Sequence, residues 1–160
     1  MEIKRLPINI NGIMWIFKNK IINNIQDFGI KKPVGFVYLI RNLESGEFYI
    51  GKKNLISRVN KKLGKKEIAL LPITRGRTKT KKLVETESNW LEYWSSSKQL
   101  QEQVKQLGPE KFSREILELA FSSKQLTYLK MKHQIVNNCL QEKLSLNDNV
   151  LGRYFKKDFE

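Results

Sequence analysis

Two tyrosines, Tyr38 and Tyr49, stand eleven residues apart on either side of a turn, and Tyr49-Ile50-Gly51 closes the second of the two runs. A phenol with its ordinary pKa of about 10 is a poor base at neutral pH, so proton chemistry there needs a metal or a cation beside it. Gly51, lacking a Cβ, would let the backbone approach a phosphate closely, or would simply end the strand. Seven residues further on, Arg58 offers an always-charged, bidentate fork for phosphate oxygens that lysine does not reproduce. Lys52 and Lys53 sit beside the glycine and suit a backbone-positioning role. Taken singly, each of these is also what an ordinary strand aromatic or a solvated cation looks like. Taken together they suit phosphate.

The charge balance agrees. Among 160 residues, 30 Lys and Arg face 16 Asp and Glu, for a formal net charge of +14 and a pI near 9.9. Such an excess attracts polyanions and favours release of their condensed counterions, with nucleic acid ahead of an anionic membrane surface. With 40% hydrophobic residues, including eight Phe, five Tyr and three Trp, the chain can bury a core and is no basic tail. The single cysteine, Cys139, excludes an internal disulfide and a cysteine-built zinc site. No apolar run approaches the roughly 18 residues of a membrane span, and no signal-peptide pattern opens the chain.

The elements that must carry these residues follow from periodicity. Residues 1–34 read as a leader, with a short amphipathic helix over roughly 17–29 from Ile21, Ile22, Ile25 and Phe28, ended by Gly29 and Pro33. Phe36 to Ile40 and Glu47 to Ile50 are β-branched and aromatic runs around Gly46, which predicts a β-hairpin over 35–51. Residues 52–82 are strongly basic, with room for a helix in the first half and a solvated loop over 74–82. Another helix is expected to begin within 85–93. Lys98–Leu107 is a helix closed by Gly108-Pro109, and alternation from Phe112 predicts a third strand. A longer helix follows over 122–141. Its apolar stripe is Leu126, Leu129, Val136 and Leu140, widened by Tyr128, Ile135 and Cys139, opposite a polar stripe of Lys130, His133, Gln134 and Asn137. The tail from Asn147 packs back through its Leu151–Phe155 segment.

Gly35-Phe36-Val37-Tyr38 with Tyr49-Ile50-Gly51 resembles the paired motif of the GIY-YIG endonuclease family, with Phe-Val-Tyr in place of Gly-Ile-Tyr in the first half. The likeness runs through most of 35–155. Glu87-Ser88-Asn89-Trp90-Leu91-Glu92-Tyr93-Trp94-Ser95-Ser96-Ser97, Gly108 to Leu117 and Asn147 to Phe155 are similar to stretches of phage-borne, free-standing, homing-endonuclease-like members. The resemblance implies an α/β fold: a small, mainly antiparallel three-stranded sheet from 35–41, 47–52 and 112–120, flanked by helices, forming one nuclease domain over 35–160. It implies that Tyr38, Tyr49 and Arg58 converge on one open side, with Tyr38 relaying the nucleophile's proton and Tyr49 orienting water or phosphate. Mg²⁺, with Mn²⁺ as substitute, is the implied cofactor and double-stranded DNA the implied partner. The setting would be the cytoplasm of a phage-infected bacterial host, with no membrane.

At the metal position this sequence departs from the family. The family's glutamate follows the third strand, on the next helix, and laid on Leu126 to Lys132 its slot falls on Lys130. An ammonium cannot ligate a hard cation, which wants oxygen donors. Three explanations stand: a substituted, inactive form; a natural member that lost catalysis and kept binding; or a shifted register in which Glu118 or Glu142 serves. In the first two, Lys130 would pair directly with the scissile phosphate. Asn147 and Asn149 fall where the family has a late asparagine, although turn and cap roles would explain them equally. His133 reads as a surface or packing residue, and Trp90, Tyr93 and Trp94 as core ahead of base-stacking. Arg75, Arg77, Lys79, Lys81 and Lys82 read as phosphate contacts on the basic loop.

Three function classes fit the sequence: a metal-dependent DNA endonuclease, a DNA-binding protein without catalysis that regulates or competes with active nucleases, and a basic RNA-binding domain. The third makes the tyrosine pair a coincidence. A monomer with one site would nick; a double-strand break would call for a homodimer or sequential nicks.

Overall fold

In a computed structural model, residues 14–160 are described. Residues 1–13 of the expected leader lie outside them. The chain divides into two units, one holding the residues up to Leu55 together with Asn89–Glu160, the other Ile56–Ser88.

The first unit is built on a five-stranded sheet. Strands β1 (Trp15–Phe17), β2 (Lys20–Ile22), β3 (Gly35–Asn42), β4 (Phe48–Asn54) and β7 (Phe112–Ala120) lie in the order β2-β1-β7-β3-β4. Only β1 and β7 run parallel; the other neighbours are antiparallel. The three expected strands are therefore the β7-β3-β4 end of a sheet that β1 and β2 enlarge to five, and the mixed α/β class holds. The helix expected over 17–29 does not form. β1 and β2 turn on Lys18 and Asn19, both in the left-handed region at φ 48° and 63°, and extend the sheet instead, followed by a 3-10 turn at Ile25–Phe28. Burial of Trp15 and Ile22 decides the outcome, since isoleucines close together in sequence satisfy a strand as well as a helix.

Opposite faces of the sheet are covered differently. Helix α3 (Ser123–Val136) crosses one face, where Leu126 and Leu129 pack with Val37, Leu39, Phe48, Ile50 and Ala120. The other face meets an aromatic layer in which Phe36 lies 5.1 Å from Trp15 and 6.1 Å from Trp90 between ring centroids. One irregularity joins the two layers. Val37 pairs with Glu118 but Tyr38 pairs with Ile116, so Leu117 is bulged. The extra residue reverses the alternation, letting β7 send Ala120 to the α3 side while keeping Phe112 and Arg114 in the opposite layer. Helix α2 (Lys98–Leu107) is capped by Ser97, whose hydroxyl accepts from the Leu100 N–H, and buries Leu100 and Val104.

Helix α3 ends sooner than periodicity predicts, because Asn138 adopts φ 49° and breaks the spiral. Its faces also depart from the expected stripes. Tyr128, Ile135 and Val136 are exposed, whereas Gln134 is buried and donates to the Asn149 carbonyl at 3.1 Å. The tail is held to the sheet unit through buried Asn147 and Val150, whereas the Leu151–Phe155 segment expected to pack back is exposed, with β8 (Asn149–Val150) and β9 (Tyr154–Phe155) pairing only with each other.

The second unit is an antiparallel ribbon of β5 (Ile56–Lys62) and β6 (Lys81–Glu87), with a short helix α1 (Lys65–Ala69) between them. Helices expected in the first half of 52–82 and within 85–93 are therefore replaced by strands, with only a 3-10 turn at Trp90–Glu92 beyond them. Val59 faces Val84 across the ribbon, a β-branched pair that favours the extended form. Residues 74–80 of the expected loop have no regular structure, and Lys81 and Lys82 open β6.

Candidate phosphate-binding site

The hairpin register brings the two motif tyrosines together. Tyr38 on β3 lies directly opposite Gly51 on β4, and Tyr49 is two residues from Gly51, so all three share one face of the sheet. The tyrosine ring centroids are 6.3 Å apart. A Cβ on Gly51 would collide with the Tyr38 ring and hydroxyl, so the glycine is there to admit the tyrosine.

The pair is not on an open side. Tyr38 is 1% exposed and Tyr49 8%. Burial, then the neighbouring Tyr93 and Tyr49, push the Tyr38 phenol well above its ordinary pKa. Burial also raises Tyr49, opposed in part by its hydrogen bond with the Ser96 hydroxyl at 3.2 Å. Both phenols therefore keep their protons at neutral pH and serve as hydrogen-bonding groups rather than phenolates.

Tyr49 borders a cavity of about 540 Å³ lined also by Ser96, Ser97, Lys98, Lys130, Asn147, Asp148 and Asn149. The first turn of α2 faces it, with backbone N–H groups that favour an anion. Lys130 comes from α3, half-buried, with no hydrogen-bond or ion-pair partner among the described residues. Burial and then the charge of Lys52 lower its pKa. Lys52 itself donates to the Thr127 hydroxyl at 2.8 Å. Two cations thus bias one region toward negative ligands.

Asn147 and Asn149, equivalent in the sequence, have different work. Asn147 is buried and clips the tail to the outer edge of β4, beside the backbone bonds that Phe48 makes with Leu144 and Leu146: its Oδ1 accepts from the Ile50 N–H at 2.9 Å and its Nδ2 donates to the Ile50 carbonyl at 2.8 Å. Asn149 is exposed at the cavity and accepts from the Gly152 N–H. Ser96, Ser97, Lys98 and Asp148 also reach the cavity. The Ser-Ser-Ser-Lys run before α2 was the available signal for the first three; Asp148 had none beyond adjacency to the asparagines.

The lining does not suit a divalent cation. Its one carboxylate, Asp148, shares the cavity with two ammonium groups, and no group of three or more His, Cys, Asp or Glu side chains able to hold a metal occurs among the described residues. Glu118 and Glu142, the other acids considered, do not line the cavity. Glu118 sits against α3, where Lys132 at 2.7 Å and His133 at 2.8 Å hold its carboxyl below the usual range. Glu142 accepts from the Leu144 N–H.

The remaining basic residues divide by unit. Lys53 donates to Asn89 at 2.7 Å and lies 4.0 Å from the centre of the Tyr93 ring. Arg58 is on strand β5 of the ribbon rather than on a helix, in a 2.7 Å ion pair with Glu85. Lys82 pairs with Glu67. Arg75, Arg77, Lys79 and Lys81 are exposed and make no ion pair among the described residues. Trp90 is core, as expected, and Trp94 meets Phe112 edge to face, with the Arg114 guanidinium over its ring.

A sheet with paired tyrosines on adjacent antiparallel strands, one helix across its opposite face and a cationic cavity beside the second tyrosine is compatible with a GIY-YIG nuclease fold. The family model described as "Putative endonuclease segE, GIY-YIG domain" matches residues 15–157, and the chain belongs to that family. The match begins at β1, within the segment read from sequence as a leader. No match is found among curated proteins or among solved structures. No described helix is long and apolar enough to cross a membrane.

Proposed function

We propose that this protein is a DNA endonuclease by family whose cavity receives a phosphodiester of double-stranded DNA, and that the chain as it stands holds this phosphate without hydrolysing it. The observation that carries the reading is the unpaired, half-buried Lys130 ammonium lining the same cavity as Tyr49. A cation without a partner in a partly dry cavity gains most from an anionic ligand. Tyr49 would orient a phosphate oxygen or water, and the first turn of α2 would add N–H donors. Tyr38, with Gly51 against it, would hold Tyr49 in position. Arg58 would have to leave Glu85 before serving a phosphate.

The alternative, a binding protein that regulates or competes with active nucleases, predicts the same binding and differs in what a change at position 130 restores. The phage-infected bacterial cytoplasm is the setting suggested by the resemblance to phage-borne members alone. A plasmid-cleavage assay with Mg²⁺ or Mn²⁺, comparing the chain with Lys130→Glu, tests the proposal. Binding without cleavage by the chain, and nicking or linearisation by Lys130→Glu, is the expected result. Cleavage by the unaltered chain that dies with Tyr49→Phe would overturn the role of Lys130. If neither protein cuts while both bind, the regulator reading replaces the endonuclease.

A further inference from the structure

The ribbon unit carries an oddity that phosphate contact does not explain. At its tip, Leu70 is 86% exposed and Ile73 104%, with exposed Pro72 between them, in an apolar run over 68–73 that lysines precede and arginines follow. Large aliphatic residues left this open need something to cover them. The tip is nevertheless anchored at its base. The Glu67 carboxylate accepts from the Gly64 N–H at 2.8 Å and pairs with Lys82, and the Leu63 N–H donates to the Thr80 carbonyl at 2.8 Å. The aliphatic residues are thus presented on a closed base.

Charge decides what can cover them. Residues 56–88 hold ten Lys and Arg against three Glu. Lys65 and Lys66 precede the aliphatic tip, and Arg75 and Arg77 follow it. A second copy of the same tip would bring these cations face to face, and a neutral protein surface would leave them without counter-charge. Duplex DNA answers both needs, since phosphates line the groove and apolar side chains can enter between base steps.

We infer that the Leu70–Ile73 tip is a wedge that inserts into the minor groove and kinks duplex DNA, with the flanking Lys and Arg holding the adjacent phosphates. This rests on the reading of DNA as partner and adds what the ribbon does to it. Apolar wedges of this kind unstack a base step and bend the duplex by about 20–90°. The bend would be the ribbon's contribution to recognition, favouring flexible pyrimidine–purine steps.

The test uses the full chain and a duplex labelled at both ends for energy transfer, with 2-aminopurine at a TA step in a parallel sample. The expected result is a rise in energy transfer and in 2-aminopurine fluorescence on binding. Both should be lost in Leu70→Ser/Ile73→Ser, which should bind within about tenfold of the unaltered chain, because lost apolar contact is offset by unstacking no longer required. Because both positions are solvent-exposed, the variant should keep its fold, checked by circular dichroism. Arg75→Gln/Arg77→Gln should instead weaken binding and flatten its salt dependence. Binding without bending by the unaltered chain, or equal bending by the Ser variant, overturns the wedge and leaves DNA as partner. Self-association lost in the Ser variant, or tip-dependent binding to anionic vesicles in preference to duplex, overturns it in favour of that other surface. No duplex binding at all removes the DNA reading and the wedge together.

Discussion

The sheet unit and the ribbon unit use β-structure for opposite purposes. In the sheet, β3 is buried along nearly its whole length, and Phe36, Val37, Tyr38 and Ile40 are all but inaccessible. In the ribbon, neither strand has a buried residue. The first is held by packing on two faces, the second by its own ladder and a few exposed ion pairs. A lone two-stranded ribbon is marginal in water. Its sequence is therefore free to serve a ligand, which is where the cations accumulate. The difference teaches that strand propensity makes both, while burial alone separates scaffold from tool.

The sharpest way to break this contrast is to truncate one inward-facing residue in each unit. Trp90→Ala should cost about 3–5 kcal/mol in urea unfolding, because it empties a site shared with Phe28, Phe36 and the Trp15 indole, whose N–H donates to the Trp90 carbonyl at 2.8 Å. Val84→Ala on the ribbon should cost less than about 1 kcal/mol. Comparable losses at the two positions would mean that the ribbon has a core of its own.

Next in size is the joint between Gly51 and Tyr38. Gly51→Ala should cost about 1–3 kcal/mol as an overpacked contact and should weaken DNA binding by displacing Tyr49's neighbour. A silent Gly51→Ala would remove the close-packing account of the motif glycine.

How much of this was legible depended on what each residue's environment adds to its type. The hairpin, the third strand and α2 could be read because their apolar spacing and Gly46, Gly108 and Pro109 agree with the final packing. The β1–β2 turn could not, since three-residue strands leave too little pattern to oppose the 21, 22, 25, 28 spacing. The ribbon was hidden for a related reason: with no buried face it has no alternation to detect. Within the candidate site, Tyr38, Tyr49 and Gly51 were visible as a pair of motifs, and Lys130 only through the family resemblance, whose glutamate slot falls on it. The buried work of Asn147 and Gln134 was not, because a polar side chain reveals its partner only when a backbone carbonyl from elsewhere arrives beside it.

Lys130 sharpens the contrast from the sheet side, where a charge is kept half-dry. Its pKa is lowered on folding, so the unfolded chain holds more protons between the folded and unfolded values. Stability must then rise as pH climbs through that window, and the penalty is fully present below it. Lys130→Met should therefore be more stable than the unaltered chain at pH 7, by about 1 kcal/mol, and the gap should narrow toward pH 10. Melting both proteins at the two pH values checks this. A gap that widens with pH would mean that Lys130 has an acidic partner after all.

The smallest effect is expected at Arg58 and Glu85, and it is the one that best separates stability from function. Both side chains are more than half exposed, so their ion pair should contribute less than about 1 kcal/mol, and Glu85→Gln should leave the unfolding midpoint nearly unchanged. The same substitution removes a negative charge from the ribbon and releases a guanidinium. If Arg58 then meets a phosphate, DNA affinity should rise at low salt, and the slope of log K against log salt should steepen by about one. An unchanged slope would assign Arg58 to the ribbon's own ladder and leave the phosphate to Lys130 and the first turn of α2.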